Sequence, residues 1–212
     1  NWLVYASVTT IFWGIWGAFI EIPEKAGFPA TLGYSIWALT MIPCSLVALY
    51  FIDWKLERDI RSILLGSLAG LLGAGGQLIL FQALREGPAY IVFPLISLFP
   101  ILTIVLSVLF LKETVSFKHW IGIGVALIAI LLLSYKPATN TETSGFGWLF
   151  LSILVFILWG LQAYVMKFST NVMRAESIFF YMMITAILLI PIALIMTDFS
   201  IVINTGFEGP YL

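Results

Sequence analysis

The chain is predicted to be an all-α, polytopic membrane protein, and three observations predict it. Seven stretches are apolar and free of charge: Trp2–Ile20, Phe28–Ile52, Ser62–Leu84, Gly87–Leu111, His119–Tyr135, Thr143–Met166 and Ser177–Thr197. Each comes close to the ~20 residues that a helix rising ~1.5 Å per residue needs to cross a ~30 Å hydrocarbon layer. Hydrophobic residues make up 61% of the sequence and charged residues 10%, against about 45–50% and 25% in soluble domains, so the bilayer is the solvent. Lipid leaves no partner for an unpaired backbone group, which restricts the spans to helices or a closed barrel. Their length and their lack of period-two alternation exclude the barrel.

The first span begins at once after Asn1, without a basic n-region or a small-residue cleavage site, so it does not read as a cleaved signal peptide. Thr9, Trp13 and Trp16 share one of its faces. The second span holds Pro43 and the lone Cys44, which is expected to be buried as a small apolar side chain. In the third, Gly66, Gly70, Gly73 and Gln77 recur at spacings of four, three and four and line one helix face. This stripe is either a close-packing face whose Gln bonds a neighbouring carbonyl or a face that touches a solute.

In the fourth span Pro94 and Pro100 each remove an amide donor and clash with the carbonyl four residues earlier, at Tyr90 and Ile96. They are expected to bend the helix and act as a hinge, with Ser97 between them beside a cavity. The fifth span opens on His119, the only histidine, whose interfacial position favours solvation over metal ligation or proton relay. The sixth carries Trp159 and Gln162, and the seventh Pro191. The mixed segment after Asp198, like the start at Asn1, reads as the boundary of a longer polypeptide.

Basic residues stay on the cytoplasmic side, so alternate loops orient the chain. The loops Asp53–Arg61, Lys112–Lys118 and Lys167–Glu176 hold seven Lys and Arg, and the opposite set holds three. The N-terminus is therefore expected in the cytoplasm and the linker 136–146 outside. Glu21, Glu24, Glu113 and Lys167 all stand at span ends, where solvation explains them, and no charge lies at a span centre. The absence of a central carboxylate argues against proton-driven antiport.

The polar linker divides five spans from two, and beyond it the sequence starts again. IFWGIWGAFI at Ile11–Ile20 precedes ILWGLQAYVM at Ile157–Met166 by 146 residues, placing Trp13 with Trp159 and Trp16 with Gln162. Pro43 finds Pro191 at an offset of 148. Because five is odd, the second copy enters the membrane from the other side, so the repeats are inverted.

The stretch Ala83–Ser134, with Pro94 and Pro100, LKE at Leu111–Glu113 and GIGVALIAILLL at Gly122–Leu133, resembles the EamA-type branch of the drug/metabolite transporter superfamily. The resemblance implies ten helices in two inverted five-helix repeats. It assigns 1–135 to a first repeat, 136–146 to an external linker and 147–212 to an incomplete second repeat of two helices and a tail. It also marks Glu113 as the family's acidic residue at the cytoplasmic end.

Chemistry is excluded more readily than transport. No metal cluster, nucleophile or paired intramembrane carboxylate stands in the sequence, so no enzyme activity and no cofactor are expected. A net charge of −1 gives no basis for nucleic-acid binding. The expected function is a secondary transporter for a small neutral or zwitterionic organic solute, such as a sugar or an amino acid, in a bacterial inner membrane. Its partners are then that solute and the lipid bilayer, with homo-oligomerisation left open. Trp13, Trp16, Gln77, Ser97, Trp159 and Gln162 are the candidate substrate contacts, since indole faces stack rings and amides orient polar groups. The alternative is a membrane scaffold or assembly subunit that transports nothing.

Overall fold

The computed structural model describes residues 2–20, 22–23, 26–134, 146–200 and 202–207. Among them the principal elements are α1 (Trp2–Phe19), α2 (Ala30–Phe51), α3 (Ile60–Glu86), α4 (Ala89–Ile96), α5 (Phe99–Leu111), α6 (Phe117–Ser134), α7 (Gly147–Ser169), α8 (Ala175–Leu188) and α9 (Ile190–Ile195), with no strand. Five spans combine sufficient length and hydropathy to cross a membrane: α2, α3, α4 with α5, α7, and α8 with α9. The helices α1 and α6 are apolar and 18 residues long. Glu21, Glu24 and the linker up to residue 145 lie outside the described residues.

Local chemistry sets the boundaries. Asp59 caps α3: its Oδ2 accepts from the Ser62 amide at 3.0 Å and its Oδ1 from the Ser62 hydroxyl at 2.6 Å. The fourth span breaks at Ser97–Leu98, between Pro94 inside α4 and Pro100 at the start of α5. Pro100 has no amide to give the Ile96 carbonyl, and Ser97 instead donates its hydroxyl to the Phe93 carbonyl at 2.7 Å. Pro191 acts likewise at the start of α9, while Pro43 is accommodated inside a continuous α2.

The centre of the bundle is α3, which packs against α7 and α8 and more lightly against α2. Its glycines make this approach possible. A Cβ on Gly66 would stand 2.6 Å from the Tyr181 ring; Gly70 faces Met182 and Thr185, Gly73 faces Gln162, and Gly76 faces Trp159. The same device recurs at Gly160, which admits Leu102, and at Gly87, which admits Trp148. On the inward face of α2, Tyr34, Ala38, Met41 and Ser45 follow at spacings of four, three and four. Cys44 falls off this stripe and is exposed, which corrects its expected burial. Outward-turned apolar side chains, such as Leu3, Tyr5, Ile11 and Phe12 on α1, meet lipid rather than water.

Contacts between loops sort the helix ends onto two faces. On one, Arg174 pairs with Glu57 at 2.8 Å and Lys167 with Glu113, uniting the three Lys/Arg-rich loops. On the other, Asn204 bonds Ala26 and Gly27, Thr31 bonds Thr197 at 2.6 Å, and Trp148 covers Gly87. Since Thr31 and Trp148 stand on the same face, α1 ends where α7 begins. The two helices run in opposite directions.

Candidate functional site

A cavity of about 270 Å³ lies where α1, α2, α3, α5, α7 and α8 converge. Trp159 stands midway along α7 between Gly147 and Ser169, so the cavity sits near the middle of the bundle. Four of the six predicted contact residues meet here: Trp13, Gln77, Trp159 and Gln162. No charged side chain lines it.

The glycine seam creates the site. Because Gly73 and Gly76 carry no side chain, the Trp159 indole lies against α3 and donates its N–H to the Gly73 carbonyl at 3.2 Å. Gln162, one turn further along α7, lies over Gly73. From α1, Trp13 closes the space with its ring centroid 5.6 Å from that of Trp159, and Phe99 meets Trp159 edge-on at 6.0 Å. The Thr103 hydroxyl fixes this wall by donating to the Gly160 carbonyl at 3.0 Å.

Gln77 ends the seam. It is only 5% exposed, and its Nε2 has no hydrogen-bond partner among the described residues. A buried amide left unpaired costs about 1–3 kcal/mol.

Two predicted contacts stand elsewhere. Trp16 packs edge-on between Phe81 and Phe93, with centroids 6.4 Å and 6.5 Å away, and belongs to the hydrophobic wall rather than the cavity. Ser97 is exposed and spends its hydroxyl on the Phe93 carbonyl. Thr9 likewise bonds back to the Tyr5 carbonyl. Trp37, Met41, Phe99 and Met182 line the cavity without having been singled out. Trp37 and Met41 had a usable signal, since spacing by four puts them on one face of α2 with Tyr34. For Phe99 and Met182 the sequence carries none.

The Lys/Arg-rich face is built around Glu57. Burial raises its carboxyl pKa, but hydrogen bonds from the Ser177 hydroxyl, its own backbone and Arg174, together with the guanidinium charge, outweigh this and hold it below the ordinary value. Arg174 also donates to the Lys55 carbonyl, and the Tyr181 hydroxyl to the Glu57 carbonyl at 2.5 Å. Lys112 ends α5 in a left-handed conformation, φ 53°, and Glu113 beside it reaches Lys167. The Glu113–Lys167 pair is exposed and adds little stability. His119 bonds the Ser116 hydroxyl through Nδ1 at 2.7 Å.

Comparison with known proteins places this arrangement. An uncharacterized protein of Methanocaldococcus jannaschii is 30% identical over 132 residues, 62% of this chain and 95% of that protein. The probable 4-amino-4-deoxy-L-arabinose-phosphoundecaprenol flippase subunit ArnE of Hamiltonella defensa is 32% identical over 81 residues, 38% of this chain and 73% of its own length. Protein LicB of Haemophilus influenzae is 24% identical over 184 residues, 84% of this chain but 61% of LicB. No solved structure gives a significant match. The sequence model of the EamA-like transporter family matches residues 1–135, which supply α1 to α6 and most of the wall of the uncharged cavity; Trp159, Gln162 and Met182, beyond the matched residues, complete it. The chain belongs to the EamA-like transporter family, within the transporters and flippases of the drug/metabolite transporter superfamily.

Proposed function

We propose that the protein is a secondary transporter that moves a small neutral or zwitterionic organic solute by alternating access. In this reading residues 1–135 form one repeat, 136–146 the external linker, and 147–212 part of a second, inverted repeat that rocks against the first around the cavity. The N-terminus lies in the cytoplasm of a bacterium and the Lys/Arg-rich loops face the same side. The observation that carries the reading is Gln77, a buried amide with an unpartnered N–H beside a cavity walled by Trp13, Phe99 and Trp159. Rings supply a flat apolar surface and Gln77 and Gln162 supply polar orientation, while the absence of Lys and Arg disfavours phosphorylated solutes.

A panel of sugars, amino acids and related metabolites, screened by thermal shift on the purified protein, tests this. A bound solute stabilises the folded state by RT ln(1 + [L]/Kd). One class should raise the melting temperature of the wild type and not of Gln77→Ala. A panel that shifts neither, together with no uptake in proteoliposomes, would sink the proposal.

The similarity to ArnE over most of that protein's length favours a second reading, a flippase subunit whose substrate headgroup is lipid-linked. Flipping of a fluorescent lipid-linked sugar in proteoliposomes, without uptake of free sugar, would select it.

A further inference from the structure

The offset that joins the two copies also joins their outer contacts. Tyr34 and Tyr181 stand 147 residues apart, between the offsets of the Trp and Pro landmarks, and each lies close to the cavity. Tyr181 fills the space above Gly66 and its neighbour Met182 lines the cavity; Tyr34 packs on Trp37, which also lines it, with centroids 5.5 Å apart. Both hydroxyls donate to a backbone carbonyl across the interface between the two copies, Tyr34 to Ala186 at 3.0 Å and Tyr181 to Glu57. Carried outward, the same offset takes Glu57 onto Asn204 and Gly27 onto Arg174. These four residues are in contact in two pairs. Glu57 meets Arg174 on the Lys/Arg-rich face, and Asn204 meets Gly27 on the opposite face, its amide donating to the Gly27 carbonyl at 3.1 Å and its side chain to the Ala26 carbonyl at 2.8 Å.

Equivalent positions therefore hold unlike chemistry. One contact is an ion pair reinforced by Ser177, and the other is a set of neutral hydrogen bonds at a Gly held at φ 92°. We infer that the two ends of the cavity carry pseudo-symmetric gates, an ionic one of Glu57 and Arg174 and an uncharged one of Gly27 and Asn204. The ionic gate yields to salt and to loss of one charge, because screening and desolvation act on charges far more than on neutral amides. The uncharged gate does not. Rocking the repeats opens one end by separating its pair while the other stays shut. The inference rests on the proposed alternating access in making this cavity the solute's site.

Side-specific labelling of the cavity tests the gates. In the full chain with Cys44→Ala, Met41→Cys becomes the reporter, and an impermeant thiol reagent is applied from one face at a time, to spheroplasts or to inverted vesicles. Glu57→Gln should raise the labelling rate from the Lys/Arg-rich face about threefold or more, as expected for a partly exposed ion pair, without raising it from the other. Raising salt from about 50 mM to about 500 mM should do the same without Glu57→Gln. The reversed pair Glu57→Arg with Arg174→Glu should restore the slow rate, and Asn204→Ala should speed labelling from the opposite face at either salt concentration. Should Glu57→Gln fail to fold, Arg174→Gln and the salt series carry the test. Equal acceleration from both faces, or no response to either charge loss or salt, would overturn the gates. Protection of Met41→Cys by an added solute is scored separately: side-specific labelling without protection by any solute would sink the transport reading and leave the gates standing.

Discussion

The indoles of Trp13 and Trp159 pack together at a centroid distance of 5.6 Å with planes tilted by 51°, although 146 residues separate them. Trp13 stands on α1 and Trp159 on α7, and the two helices run in opposite directions. In the inverted repeat proposed above, a residue and its counterpart meet only near the axis that relates the copies. Under the proposed alternating access the cavity beside them would lie on that axis, where both halves touch throughout a rocking motion.

Gln77→Ala and Trp159→Ala should each weaken solute binding about tenfold or more, which corresponds to ~1.4 kcal/mol of lost contact. Calorimetric titration with the solute found by thermal shift provides the measurement. Trp16→Phe, in the wall rather than the cavity, should leave affinity within about twofold. Wild-type affinity for both Gln77→Ala and Trp159→Ala would make those residues structural.

The seam glycines should be intolerant of a methyl group. Gly66→Ala places its Cβ 2.6 Å from the Tyr181 ring and is expected to cost about 1–3 kcal/mol as overpacking. Gly14→Ala meets nothing within 4 Å and should be neutral or slightly stabilising. Melting temperatures in one detergent compare them, and equal losses would show that the seam is loosely packed.

Pro100→Ala restores a donor for the Ile96 carbonyl and should let α4 and α5 join. The folded yield should persist while transport slows severalfold, because the break at Ser97–Leu98 flanks Phe99 in the cavity wall. An unchanged transport rate would reduce the prolines to packing features.

Glu57 gives acid sensitivity with a definite sign. Its carboxyl pKa is lowered in the folded protein, so its stabilisation is fully present above the unfolded value of about 4.3 and is lost as pH falls through the lowered one. Thermal melts should therefore be flat from about pH 7 to 5 with respect to this group and decline below about 4.3. In Glu57→Gln that part of the decline should vanish. Asp59, lowered chiefly by the Ser62 hydroxyl, and Asp198, by the Ser200 hydroxyl, titrate in the same direction and persist in that variant.

Orientation is open to a direct chemical test. With Cys44 replaced, a cysteine at Lys118 should be shielded from an impermeant reagent on intact cells, and one at Thr141 should react. The reverse pattern would turn the molecule over.

The sequence by itself determined the spans, because crossing lipid requires long uncharged runs and internally bonded backbone, and both are written in composition and order. The recurrence of Trp13–Gly14 at Trp159–Gly160, on which the proposed repeat rests, is equally legible in the order of residues. Four cavity residues could be named because a glycine stripe ending in Gln77, and the recurrence of a Trp-Gly pair at Trp13 and Trp159, are one-dimensional patterns. What only the tertiary structure decided is which side of each helix faces inward. In a span apolar all round, no hydrophobic periodicity separates the lipid side from the packed side. That is why Trp16 reads as well as Trp13 in the sequence yet fills the wall, why Cys44 faces outward, and why Phe99 and Met182 carry no signal. The pairing of Glu57 with Arg174 belongs to the same class: loop charges are visible in the sequence, but their partners follow from helix packing.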